Sequence, residues 1–181
     1  MVWRATFQNG VQTPIPKDVD PNAIISLLHD HSFLITMSPI VTRHEIRERD
    51  AVSGKITYDV WENINLLPFN LWKYEISFMA AFTDRRDGTT SDIEAGMGFV
   101  SQSKMTVKPG EQWDGEGGGW VLDEAIESSV NVLMKWYVEG QMVPVREKMH
   151  LKMIEAAKER EGKVRRSRES GVSAGRPSGQ F

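Results

Sequence analysis

The 181-residue chain contains no cysteine. Disulfides, thiolate nucleophiles and cysteine-ligated metals are therefore excluded, and a reducing compartment suits such a composition. No apolar run reaches the roughly 18 residues that a membrane-spanning helix needs. Residues 1–10 carry Arg4 and lack the apolar core of a secretory signal. These absences together predict a cytoplasmic protein. Also missing are G-x-S-x-G, a phosphate-cradling glycine loop, a dinucleotide fingerprint and H-E-x-x-H, which argues against hydrolase, nucleotide and zincin chemistry.

What is present fits one domain with a real core: 40% of the residues are hydrophobic. The net charge of −3 hides an asymmetry. From Gly162 to Phe181 there are five basic residues (Lys163, Arg165, Arg166, Arg168, Arg176) against Glu169 alone, which leaves 17 basic and 24 acidic residues in the rest. A body this acidic is a poor surface for nucleic acid, and no nucleic-acid partner is expected. The tail has almost no apolar residues and is expected to be disordered. The domain is therefore placed at 1–161 and the basic tail at 162–181. Arg165-Arg166-Ser167 matches a short kinase target or basic address, though a solubilising tail explains it as well.

Patterning along the chain predicts mostly strands. Alternation over roughly 2–14 marks a first strand, closed by Pro14 and Pro16. Asp20 followed by Pro21 is a helix start, with Ile24, Leu27, Leu28 and His31 on one face to about residue 30. A second short helix is expected over His31–Met37. From Ile40 the period changes to two. Thr42, His44, Ile46 and Glu48 share its face, Gly54 marks a hairpin turn, and Ile56, Tyr58, Val60, Glu62 and Ile64 share a face on the return. Leu66–Leu71, around Pro68, is a lid or a packed loop. Tyr74, Ile76, Phe78, Ala80 and Phe82 form the next apolar face, and Asp87-Gly88 is a turn signal. Thr90–Val107 alternates, with Gly96 and Gly98 marking a bulge or sharp bend. Residues 108–119 (KPGEQWDGEGGG) have the composition of a flexible loop. Trp120, Leu122, Glu124 and Ile126 begin the last strand.

The strand leads into the longest periodic run, Val130–Arg160. Val138, Met142, Val145, Met149, Met153 and Ala156/Ala157 recur at spacings of three and four, the stripe of an amphipathic helix. Pro144 interrupts the run without ending it, so a kink is expected there.

The order strand, two helices, about six strands, long helix resembles the START-like, or Bet v 1-like, helix-grip superfamily. The local matches are TPIPKDVDPNAIISLLHD, MSPIVTRHEI, TDRRDGTTSDIEAGMGF and GWVLDEAIESSVNVLMKWYVEGQMVPVREKM. The chain is most similar to a fungal family of uncharacterised START-like proteins, over roughly Val2–Glu161. The resemblance implies an α+β fold, a curved antiparallel sheet of six or seven strands around the C-terminal helix. Between them it implies a cavity for a small hydrophobic molecule (a lipid, sterol or polyketide) and, in some relatives, cofactor-free polyketide cyclase or dehydratase activity. No cofactor is implied, and binding and catalysis both remain open.

In that fold the inward phase carries His44, Tyr58, Glu62, Tyr74, Ile76, Phe78 and Glu124, with Asn131, Trp136 and Tyr137 near one end. An apolar lining of about 300 Å³ or more with a few polar groups suits a small ligand. If the hairpin centres near Ser53, His44 lies opposite Glu62. A carboxylate beside an imidazole orients an acid or base, but a plain cross-strand hydrogen bond is the commoner arrangement. Glu124 is either a buried acid or, as most carboxylates are, a strand-edge charge in water. His29, Asp30 and His31 point apart on a helix, and Asp84, Asp87 and Asp92 are too sparse for calcium, so no metal site is expected.

Overall fold

A computed structural model describes residues 3–65, 73–110 and 119–173. The Leu66–Leu71 connection, most of the glycine-rich loop and the end of the tail lie outside those residues, as do the side chains of Tyr74 and Tyr137.

The first strand, β1 (Arg4–Ile15), is followed by α1 (Pro21–Leu28) and α2 (His31–Thr36). Both helices begin where the side chains dictate. The Asp20 carboxylate accepts from the Asn22 N–H at 2.9 Å, with Pro21 in the first turn, and Asp30 accepts from the Phe33 N–H at 3.1 Å. Then come β2 (Val41–Arg49), β3 (Ile56–Asn65), β4 (Lys73–Arg85), β5 (Gly88–Ala95), β6 (Phe99–Pro109) and β7 (Trp120–Asn131), and the chain closes in α3 (Lys135–Ser173). The sheet order is β1-β7-β6-β5-β4-β3-β2, and every pairing is antiparallel. From β2 to β7 consecutive strands are thus neighbours, and β1 lies against β7 at the edge opposite β2.

Two glycines sit where the backbone demands them. At Gly88, in the β4–β5 turn, an added Cβ would lie 2.0 Å from the Met105 carbonyl oxygen. Gly98, in the single 3-10 turn that breaks β5 from β6, has a φ of 76°, and its carbonyl accepts from Arg4 at 2.7 Å. The expected bend at Gly96 and Gly98 is this turn.

The core lies between the concave sheet face and the three helices. Ile24, Leu27, Leu28, Val60, Leu122, Met153 and Ala157 are all completely buried. A polar clip is set into it. Asp84 only accepts, so the buried His31 donates from Nε2 to it at 2.9 Å. That leaves Nδ1 to accept from the Tyr58 hydroxyl at 3.3 Å, while the ring stacks on Phe82.

Three expectations change. α3 starts at Lys135 rather than 130, because β7 runs on to Asn131 and a 3-10 turn (Val132–Met134) intervenes. It also extends to Ser173, so residues 162–173, expected to be irregular, are helical. Lys, Arg and Glu are good helix formers, and an already nucleated helix propagates through them. In the β2–β3 hairpin, His44 faces Val60, and Glu62 faces Val41. The turn is closed by the Asp50 N–H to the Lys55 carbonyl, and irregularities between Ile46 and Glu48 and between Val41 and Arg43 shift the register further.

Candidate functional site

Between α2, the middle strands and α3 lies a cavity of about 250 Å³. Its walls are mostly apolar: Leu34 and Ile35 from α2, Val60, Phe78, Ala80, Phe82, Ile93 and Met105 from the sheet, and Met142 and Met149 from α3. Period-two patterning in the strands and the i, i+7 spacing of the two methionines turn these side chains toward one another. The volume is somewhat below the expected lower bound. An apolar cavity of about 150 Å³ accommodates benzene, so this one admits a compact two-ring molecule rather than a long acyl chain.

Two charged groups reach the cavity from opposite elements, and Ser38 and Ser91 are its other polar residues. On the sheet side, the half-buried Glu62 accepts from the Ser38 hydroxyl at 3.2 Å. Burial raises its pKa above the ordinary carboxylate range, and the Ser38 hydrogen bond only partly opposes this. On the helix side, Arg146 lines the cavity with its side chain 13% exposed, and Nη1 lies 3.3 Å from Glu124 Oε1.

Behind Arg146, outside the lining, is a buried chain. Glu124 Oε1 also accepts from the Ser103 hydroxyl, and its Oε2 meets His150 Nε2 at 3.2 Å. His150 Nδ1 meets the Thr13 hydroxyl at 2.9 Å. Burial alone would push the Glu124 pKa up. The hydrogen bonds from His150 and Ser103 and the Arg146 charge outweigh it and hold the carboxyl below its usual range.

The structure thus separates the residues expected together. Glu62 and Phe78 line the cavity, while Ile76 and Tyr58 do not, Tyr58 being turned into the His31 clip. The half-buried His44 lies outside the lining and pairs with the Ser32 hydroxyl at 2.9 Å, not with Glu62. Glu124 is 1% exposed, which corrects the expectation of a strand-edge charge in water. Asn131 caps the 3-10 turn by accepting from the Leu133 N–H, and Trp136 is 77% exposed.

Sequence reasoning missed Arg146, Ser38 and the His150 chain. A signal was there for two of them. Arg146 is four residues after Met142 and three before Met149, and His150 is three before Met153, so both fall within the buried stripe. A charge inside an apolar stripe is the anomaly to read. Val145, assigned to that stripe, is 49% exposed.

Among the described residues no group of three His, Asp or Glu side chains is placed to hold a metal, and no helix is long and apolar enough to cross a membrane.

A seven-stranded antiparallel sheet gripping a long C-terminal helix, with two short helices after the first strand, is the Bet v 1-like helix-grip fold. Residues 4–159 match the family described as a domain of unknown function, DUF7053, and the chain belongs to that family. No curated protein matches the sequence. Among solved structures it is similar to Ara h 8.0201, with 13% identity and a TM-score of 0.52 over 86% of this chain and 96% of that one. It is also similar to the di-domain ARO/CYC StfQ from the steffimycin biosynthetic pathway, with 13% identity and a TM-score of 0.59 over 87% of this chain and 52% of that longer one. A third is a norcoclaurine synthase point mutant from Thalictrum flavum in complex with a transition-state analogue, with 12% identity and a TM-score of 0.53 over 89% and 98%. At these identities the likeness establishes the fold.

Proposed function

We propose that the protein binds a small hydrophobic molecule in the cavity between sheet and α3. The observation that carries this reading is the cavity itself, about 250 Å³ with mostly apolar walls and Glu62 and Arg146 as its charged groups. Burying a compact apolar ligand there removes its surface from water at a gain of roughly 25 cal/mol per Å². Two of the similar structures are an ARO/CYC protein of the steffimycin biosynthetic pathway and a norcoclaurine synthase in complex with a transition-state analogue, which fits the same use of the fold. The reading is tested with 2-acetyl-6-dimethylaminonaphthalene, a neutral two-ring dye that brightens in apolar surroundings. One dye should bind per folded chain, and Ala80→Leu, which adds volume inside the cavity, should weaken it. Equal binding by both proteins would place the dye elsewhere and defeat the reading.

One observation favours a second reading, a cofactor-free cyclase, dehydratase or isomerase of fungal secondary metabolism. Glu62 is a cavity carboxylate whose pKa burial raises, which makes it a stronger base than a carboxylate in water. Glu124 is held ionised behind Arg146, and His44 is outside the cavity, which leaves Glu62 as the base. A two-ring ketone such as 2-tetralone in D2O gives the check. The native protein should speed hydrogen–deuterium exchange beside the carbonyl, and Glu62→Gln should bind the ketone without doing so. Identical exchange rates in both would remove the enzyme reading.

A further inference from the structure

We infer that Arg146 is the specificity-determining residue of the cavity, and that the ligand it selects carries a neutral acceptor oxygen of the ketone, quinone or ester type. The inference rests on the cavity being the binding site, as proposed above, and adds what the occupant must present.

The argument begins with donors. A guanidinium has five N–H donors, and among the described residues Arg146 makes one ion pair, from Nη1 to Glu124 Oε1. The group also lines the cavity, so donors remain to face an occupant. Apart from Glu62, Ser38 and Ser91, the rest of the lining is apolar and offers little to accept. An occupant that brings an oxygen to this place satisfies a donor that the protein leaves to the cavity. A hydrocarbon of the same shape covers that donor and strips it of water, which is costly.

Charge then decides which oxygen. Arg146 is already paired with the ionised Glu124, and Glu124 is braced by Ser103 and His150. The Glu124 carboxylate therefore offsets the Arg146 guanidinium, and the pair has no net positive charge for an anion. The other charged group of the wall, Glu62, is itself acidic and repels an anion further. The cavity is therefore built for a polarised but uncharged oxygen. Ser103, Glu124, His150 and Thr13 are positioning residues: they come from β6, β7, α3 and β1 and fix the guanidinium without touching the ligand.

Three naphthalenes of nearly equal shape test this on the full chain by titration calorimetry: 2-acetylnaphthalene, 2-ethylnaphthalene and 2-naphthoate. The ketone should bind roughly tenfold or more tightly than the hydrocarbon, the size expected for a hydrogen bond from a charged donor. It should also bind more tightly than the carboxylate. Arg146→Met combined with Glu124→Gln removes both charges, so no unpaired ion is left, and should bring the ketone-to-hydrocarbon ratio close to one. Equal binding of ketone and hydrocarbon by the native protein overturns the inference, as does a preference for naphthoate or a ratio that survives in the double variant. Should the double variant not fold, the three-ligand comparison on the native protein still decides. Binding of the hydrocarbon without preference defeats this inference alone, whereas binding of none of the three defeats the cavity-binding reading with it.

Discussion

Arg146 Nη1 and Glu124 Oε1 lie 3.3 Å apart, joining the inner turn of α3 to the middle of β7 with the carboxylate fully shielded from water. An ion pair of this kind adds little to stability when compared with apolar residues of equal volume, but breaking it from one side is expensive. Arg146→Met alone should lower the unfolding free energy by about 3–5 kcal/mol, since a buried carboxylate loses its counter-charge. The double variant with Glu124→Gln should recover much of that loss. Urea denaturation of the two single variants and the double variant closes the cycle; additive losses would show that the pair is not coupled.

The His31 clip predicts a smaller effect. Asp84→Ala removes the acceptor of a ring that is 5% exposed, and the stranded Nε2–H should cost about 1–3 kcal/mol. Asp84→Asn keeps an acceptor and should cost less. A loss of the same size for both substitutions would mean that the bond contributes nothing beyond side-chain packing.

Most of the frame was legible because it is written in local patterning. Asp20-Pro21 starts α1, Asp87-Gly88 turns β4 into β5, and the alternation of Tyr58, Val60 and Glu62 holds in β3. The site was less legible. The His44–Glu62 pairing required an uninterrupted ladder, and irregularities in backbone hydrogen bonding leave no mark in side-chain alternation. The burial of Glu124 depends on Ser103, Arg146 and His150, all of them more than twenty residues away along the chain. Average tendencies for a lone carboxylate say nothing of such partners.

On α3 the depth of burial ranks the methionines. Met153 is completely buried, whereas Met142 and Met149 border the cavity and are half-buried. Met153→Ala should cost about 2–5 kcal/mol, and Met142→Ala clearly less, because part of its side chain already faces open volume. The reverse order in chemical denaturation would show that the cavity is filled.

Truncation after Glu161 tests the division of the chain at that residue. Up to there α3 is tied to the body: the Glu161 carboxylate accepts from the Asp20 N–H at 2.9 Å, and Arg160 pairs with Asp30 at 2.8 Å. Beyond it Lys163, Val164, Arg166 and Ser167 are exposed. The shortened protein should melt within a few degrees of the full chain. A larger fall would mean that residues 162–181 pack on the domain.

Glu62 and Glu124 should respond to pH with opposite signs. The folded state raises the pKa of Glu62 above its unfolded value of about 4.3, so the native protein binds the proton more tightly, and stability is lost as pH rises through the interval between the two values. The folded state lowers the pKa of Glu124, so its contribution is present above the unfolded value and is lost as pH falls toward the lower, folded one. Gln at either position cannot ionise and keeps an acceptor for the neighbouring serine. Melting temperatures between pH 4 and 7 separate the two. Relative to the native protein, Glu62→Gln should gain stability as pH rises, because the native carboxylate then carries a charge that its half-buried site disfavours. Glu124→Gln should lose stability over the same range, because Arg146 is left without a counter-charge just where the native carboxylate is fully ionised. Curves that run parallel to the native one would mean that neither environment shifts its carboxyl, and a falling curve for Glu62→Gln would remove the base assigned to the cavity.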